Sequence, residues 1–380
     1  MIYKIGDSII SPLGMTTDAT FQAVCSGESR LCLYENIFGL PEPCFISLLD
    51  EDTLDTAFSA LTDFGISGYT KVEKAAIIAA EQAIAEANID ASRKDVVFII
   101  STTKGNVDLL ENNPFEPERV YLWRTAQIIA DFFGNRNTPV VVSNACISGC
   151  AAQLSAFNHL RFSGYKYAVV IGAETLSRFV ISGFQSFKAL SKERCKPFDA
   201  ERCGLNLGEA AAAIVYTIDN GHNIKPGTLV FEGGGINNDA NHISGPSRTG
   251  EGLLRSIQKA TNGFDTRRIA FINAHGTATV YNDDMESIAI HRAGLQHVPV
   301  NSLKGYFGHT LGAAGVLETI ISERALKSHI ILKSYGTRNT GTANDVNICL
   351  QETKASGDAF MKLISGFGGS NAAMTFRVKR

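Results

Sequence analysis

The stretch that most restricts the fold is residues 139–153, Pro-Val-Val-Val-Ser-Asn-Ala-Cys-Ile-Ser-Gly-Cys-Ala-Ala-Gln. Val140 to Val142 is a β-branched run that reads as a buried strand. Small residues turn the chain at Ser143 to Ala145, and an alanine-bearing segment with helical spacing follows Cys146. This is a strand–turn–helix elbow with a thiol at the turn. The dipole and free first-turn N–H groups of that helix favour an anion, so the pKa of Cys146 is expected to fall.

The same unit recurs along the chain. In the first half, strands are expected at 1–10, 96–100, 167–172 and 210–218, with helices at 17–25, 72–89 and 122–133. Residues 105–120, with two prolines and several acids, read as a loop excursion of the kind that lines a pocket. In the second half, strands are expected at 228–231, 268–273, 298–302, 346–350 and 372–378, with helices at 284–294 and 310–328. There is no literal sequence repeat and no Pro/Gly/Ser linker. The pattern predicts an α/β chain of two related halves in one body, 1–220 carrying Cys146 and 221–380 carrying two elbow histidines.

Composition narrows the function. A net charge of −3 argues against nucleic acid, and 44% apolar residues over 380 suit an enzyme with a sizeable core. Eight cysteines in so long a chain do not make a disulfide framework. Asp7 and Pro12 interrupt any apolar leader, and no stretch is long enough to span a bilayer. A reducing, cytoplasmic setting with free thiols is therefore expected.

Three further elbows join Cys146. They are Asn273-Ala-His-Gly-Thr-Ala-Thr279, Lys304-Gly-Tyr-Phe-Gly-His-Thr-Leu-Gly-Ala-Ala-Gly315 and Ser365-Gly-Phe-Gly-Gly-Ser-Asn371. With these the chain resembles the β-ketoacyl-[acyl carrier protein] synthases, the elongating condensing enzymes of fatty-acid and polyketide synthesis. All four family motifs occur in register, and the likeness runs from Ile5 to the C-terminus. It implies a thiolase-like fold with mixed five-stranded sheets in an α-β-α-β-α layering. It also implies decarboxylative condensation of an acyl thioester with a malonyl-[acyl carrier protein].

The resemblance assigns roles. Cys146 takes the acyl chain as a thioester, and His275 and His309 hold the donor's enolate oxygen through Nε2–H if both stay neutral. The backbone N–H groups of Cys146 and Phe367 form the oxyanion hole, and Phe367 also gates the acyl tunnel. Lys304 supports the electrostatics, paired with Glu318. Thr277 and Thr279 hydrogen-bond the phosphopantetheine arm, while Asn282, Asp283 and Glu286 hold the loop. No metal and no resident cofactor are implied, since the substrates ride on a carrier protein's phosphopantetheine. The implied partners are that carrier and a second synthase subunit, identical or related, paired along the sheet edge near the cysteine strand. Lys71, Lys74, Lys188, Lys192 and Arg194 are candidates for meeting the carrier.

The chain departs from the family pattern in places. Ser365 stands where an aromatic is usual, Arg202-Cys-Gly-Leu205 replaces Arg-Asp-Gly-Phe, and Gly208-Glu-Ala-Ala-Ala212 replaces Gly-Glu-Gly-Ala-Gly. These changes bear on acyl specificity rather than on the thiol. Three rivals stand beside the condensing enzyme. A thiolase would need a cysteine in the turn at Gly366–Gly369, which has none. A non-elongating chain-length subunit would lack the nucleophile. A cysteine-dependent thioester hydrolase would leave one histidine and Lys304 unexplained.

Overall fold

The computed structural model describes residues 1–62, 65–218, 224–243 and 245–379. Ten strands form its main sheet: β1 (Ile2–Ile10), β2 (Val96–Ser101), β3 (Val140–Val142), β4 (Tyr167–Glu174), β5 (Ala210–Ile218), β6 (Leu229–Asn238), β7 (Ile269–Asn273), β8 (Val300–Asn301), β9 (Ala359–Gly366) and β10 (Ser370–Val378). Their spatial order is β8-β7-β9-β10-β6-β1-β5-β4-β2-β3. The first five strands in sequence lie as 1-5-4-2-3, and the second five as 6-10-9-7-8, the same order. Strand directions also agree: antiparallel β1/β5 and β5/β4, then parallel β4/β2 and β2/β3. The second set has antiparallel β6/β10 and β10/β9, then parallel β9/β7 and β7/β8. The two five-stranded sets join edge to edge through Ile2 opposite Phe231 and Tyr3 opposite Val230.

Two helices fill the space between the sets. α3 (Ser148–Phe162) follows β3, and α7 (Ala314–Lys327) follows β8, so they occupy equivalent places in the two halves. Each contacts strands of both sets. They meet where a Cβ on Gly149 would lie 2.9 Å from the Gly315 Cα, so only glycine lets the backbones approach. Helix α1 (Lys71–Ala87), closed by a capping box of Thr70 and Glu73, covers the outer face of the first set, with α2 (Leu122–Phe132) beside it. Helices α5 (Glu251–Ala260) and α6 (Val280–Arg292) cover the second. Helix α4 (Arg178–Ser186) follows β4 and packs over a satellite cluster around Leu176 and Leu205.

Some expected elements differ. Residues 346–350 form no strand: Ile348 makes a single bridge to Val300, because only one register position reaches the sheet edge. The run from Thr310 opens as a 3-10 turn over Leu311–Ala313 before becoming α-helical. Strand β3 is half-buried, not buried, because it is the outermost strand of its set. The excursion 105–120 contains two short 3-10 turns.

Candidate active site

All four sequence-predicted elbows meet over the C-terminal ends of the parallel strands. Cys146 follows β3, His275 follows β7, His309 follows β8, and Phe367 sits in the β9–β10 turn. Cys146, His275 and His309 are each buried, and the cysteine sulfur and one nitrogen of each ring lie within 4.8 Å of one another. The two imidazoles meet edge to face, centroids 5.0 Å apart.

The backbone is bent to achieve this. Ala145, just before Cys146, has φ +44°, a left-handed conformation that costs energy for a residue with a Cβ. Gly276 also has φ +44°, and a Cβ there would come within 2.5 Å of Ser302. The loop carrying His275 hangs on two buried carboxylates. Glu286 accepts from the backbone N–H of His275 and of Gly276, both at 2.7 Å. Asp283 accepts from the Thr277 N–H at 3.0 Å and the Phe198 N–H at 2.7 Å. Asn282 bridges the two acids, so this trio holds the loop as expected. Burial pushes the Glu286 carboxyl up to about 7 and that of Asp283 up to about 6.

Electrostatics set the protonation of the rings. Lys304 pairs with Glu318, which also binds Lys362 at 2.6 Å, and all three are buried. Two cations on one anion leave one positive charge. Burial opposes charge on Glu318, but the two ammoniums hold its carboxyl below the usual range. Burial, reinforced by the charges of Lys304 and Lys362, drives both histidines well below the ordinary imidazole value. Both are therefore neutral. The Leu311 N–H donates to His309 Nδ1 at 3.3 Å, which places that ring's proton on Nε2, and no described residue binds this Nε2.

The thiol corrects the sequence expectation. Burial raises Cys146 to about 11, and the Lys304 charge and a hydrogen bond from the Phe367 N–H only partly offset it. The residue lies ahead of the first turn of α3 and is buried, and desolvation is the largest influence on its thiol. Resting Cys146 is a thiol beside two neutral imidazoles. The Phe367 N–H points at the sulfur, and a Cβ on Gly366 would sit 3.1 Å from the Cys146 nitrogen. The two expected oxyanion donors are thus neighbours.

Two cavities meet at Cys146. One, of about 450 Å³, runs past His275, His309, Thr277 and Thr279, whose hydroxyls are 2.9 Å apart. The other, of about 410 Å³, lies beyond Phe367 and is lined by Lys104, Phe179, Val180 and Leu311. Phe367 packs against Phe184 and Phe187, with ring centroids 5.7 and 5.3 Å away, and these aromatics border both cavities. Ser365 donates to Asn371 at 2.7 Å and holds the same turn.

Several residues were not read from the sequence. Lys362 stands inside an apolar strand, Phe-Met-Lys-Leu-Ile, and a lysine in such a run was the available signal. Glu174 ends β4 and accepts from the N–H groups of Thr103, Lys104 and Gly312, tying the first half to the His309 loop. Among the proposed carrier contacts, Lys71 binds buried Glu209 at 2.7 Å and Lys74 binds Asp55, so both are occupied within the chain. Lys188, Lys192 and Arg194 are exposed and form no ion pair among the described residues.

Comparison with known proteins agrees with this geometry. Residues 5–217 match the family model "Beta-ketoacyl synthase, N-terminal domain", and residues 229–338 match "Beta-ketoacyl synthase, C-terminal domain". The chain is 26% identical to 3-oxoacyl-[acyl-carrier-protein] synthase 2 of Staphylococcus aureus, over 98% of this chain and 99% of that one. It is 30% identical to Nodulation protein E of Rhizobium leguminosarum bv. trifolii over 66% of this chain, spanning 64% of that relative's length. A beta-ketoacyl synthase structure from Burkholderia phymatum superposes with TM-score 0.87 at 25% identity, covering 100% of this chain and 99% of that one. A ketosynthase solved in complex with its chain length factor, from Xenorhabdus doucetiae, shares the fold with TM-score 0.88 at 24% identity, covering 99% and 98%. From its motifs, its doubled sheet and these matches, the chain belongs to the beta-ketoacyl synthase family.

Proposed function

We propose that the protein is a condensing enzyme that elongates an acyl chain by decarboxylative Claisen condensation. The observation that carries this reading is one sulfur and two neutral imidazoles, from three separate loops, within 4.8 Å. Cys146 attacks the acyl thioester as its proton passes to a neighbouring imidazole, and the carrier leaves as a thiol. The tetrahedral oxyanion is met by the N–H groups of Cys146 and Phe367. A malonyl thioester then enters along Thr277 and Thr279. Its carboxylate departs as carbon dioxide, and the electron pair moves to an enolate whose oxygen faces His275 and His309. The enolate carbon attacks the acyl-Cys146 carbonyl. Collapse gives the β-ketoacyl thioester and a thiolate, which takes up one proton.

Lys304, Lys362 and Glu318 supply positive potential rather than protons. The phosphopantetheine belongs to the substrate, so no resident cofactor is required. The relatives' names support an acyl carrier protein as the partner delivering both thioesters, within fatty-acid or polyketide-type synthesis. The doubled strand order supports reading 1–220 and 221–380 as two related halves. The outer edge of β3, which pairs with no further strand among the described residues, suits a dimer with an identical or related subunit. No helix among the described residues is long and apolar enough to cross a membrane. A cytoplasmic setting suits a mechanism that needs a free thiol. Intact mass after incubation with acyl-pantetheine tests the reading: one acyl group should appear on Cys146 and fail to appear when iodoacetamide has alkylated the protein first, and free acid without adduct, with no carbon dioxide once malonyl-pantetheine is added, would mean a hydrolase.

A further inference from the structure

The second cavity carries a charge that a purely hydrocarbon tunnel would not. Lys104 follows β2 in the first half as His275 follows β7 in the second, so the doubled strand order brings both to the nucleophile. Its loop is pinned, because Glu174 takes the backbone N–H of Thr103 at 2.8 Å and of Lys104 at 3.1 Å. Its side chain is half-buried, lines the cavity beyond Phe367, and lies close enough to Cys146 for its charge to favour the thiolate. Among the described residues it forms no ion pair, and its ammonium donates only to the carbonyl of the adjacent Thr103, at 3.3 Å. The same cavity is also lined by the helix α4 face, with Ser182 and Ser186 between Phe179 and Phe187.

A wholly apolar acyl chain reaching this point would strip water from the ammonium and return nothing. A chain ending in an oxygen acceptor would replace that water, and a carboxylate would do so with a charge-assisted hydrogen bond. We infer that Lys104 makes this site selective for acyl groups whose far end carries an oxygen acceptor, a carboxylate above all. This rests on Cys146 being the acyl acceptor. The site takes the chain by thioester exchange: acyl-pantetheine and the Cys146 thiol give acyl-Cys146 and free pantetheine.

Three thioesters of equal length separate the possibilities: adipoyl-, 6-hydroxyhexanoyl- and hexanoyl-pantetheine, with acylation of Cys146 followed by intact mass. Adipoyl should load about tenfold or more faster than hexanoyl, with 6-hydroxyhexanoyl between them. Lys104→Met should reverse the order, and Lys104→Arg, which keeps the charge, should preserve it. Hydroxyhexanoyl matching adipoyl would make the shared chemistry a neutral acceptor. Hexanoyl loading first in the unaltered protein, or an adipoyl preference surviving Lys104→Met, would overturn the inference. If none of the three acylates Cys146 while iodoacetamide still modifies it, the condensing-enzyme reading fails first, and this inference with it.

Discussion

Burial holds the resting Cys146 sulfur protonated and would keep water from the proposed acyl-enzyme. With the thiol near 11, alkylation by iodoacetamide should rise about tenfold per pH unit between roughly pH 7 and 9. A rate already level at about pH 8 would mean a preformed thiolate, as the helix dipole alone predicts. The histidines behave oppositely. Depressed well below 6.5, they should leave malonyl decarboxylation flat as pH falls from about 8 to 6, where ordinary imidazoles would protonate. Below 6.5 the unfolded chain binds protons that the folded chain refuses, so stability falls as pH drops through that value. Removing a cation relieves the imidazolium, so Lys362→Met should move the acid limb of the rate profile to higher pH; an unmoved limb would take Lys362 out of the electrostatics. The residues legible in sequence sat in contiguous motifs, such as His275-Gly-Thr277 and Gly308-His309. Lys362 and Glu174 were not, because each acts through partners more than 40 positions away.

Among the elements, α3 and α7 fix the distance between Cys146 and His309. Cys146 lies just before α3 and His309 just before α7, and the helices touch at Gly149 and Gly315. A side chain at Gly315 would meet the Cys150 nitrogen at 2.5 Å, which is backbone and cannot swing aside. Gly315→Val should therefore cost about 1–3 kcal/mol or more. It should also slow acylation of Cys146 further than the lost folded fraction explains, as read by thermal unfolding and intact mass on one sample. Full acylation at reduced stability would make the crossing purely structural. Helices with strong periodicity, such as α1, were plain from sequence. Residues 346–350 were not, because an apolar run does not say whether a sheet edge has room for it. Lys71 and Lys74 looked like free cations until tertiary contact brought Glu209 and Asp55 to them.

Across the whole molecule the proposed chemistry depends on a repeated strand order. Each half repeats one strand order, and the site forms only where the two meet, with Cys146 from one half and both histidines from the other. Sequence displayed the elbows and suggested two related halves but did not give the strand order, because no literal repeat marks which strands are equivalent. On the proposed mechanism, this division of labour between halves makes bond formation and decarboxylation separable. The measurement that tests this most directly is carbon dioxide release from malonyl-pantetheine by Cys146→Ala, with product followed by mass spectrometry. We expect release equal to or above that of the unaltered protein, with no β-ketoacyl product. Loss of carbon dioxide along with the sulfur, or condensation without it, would contradict the account.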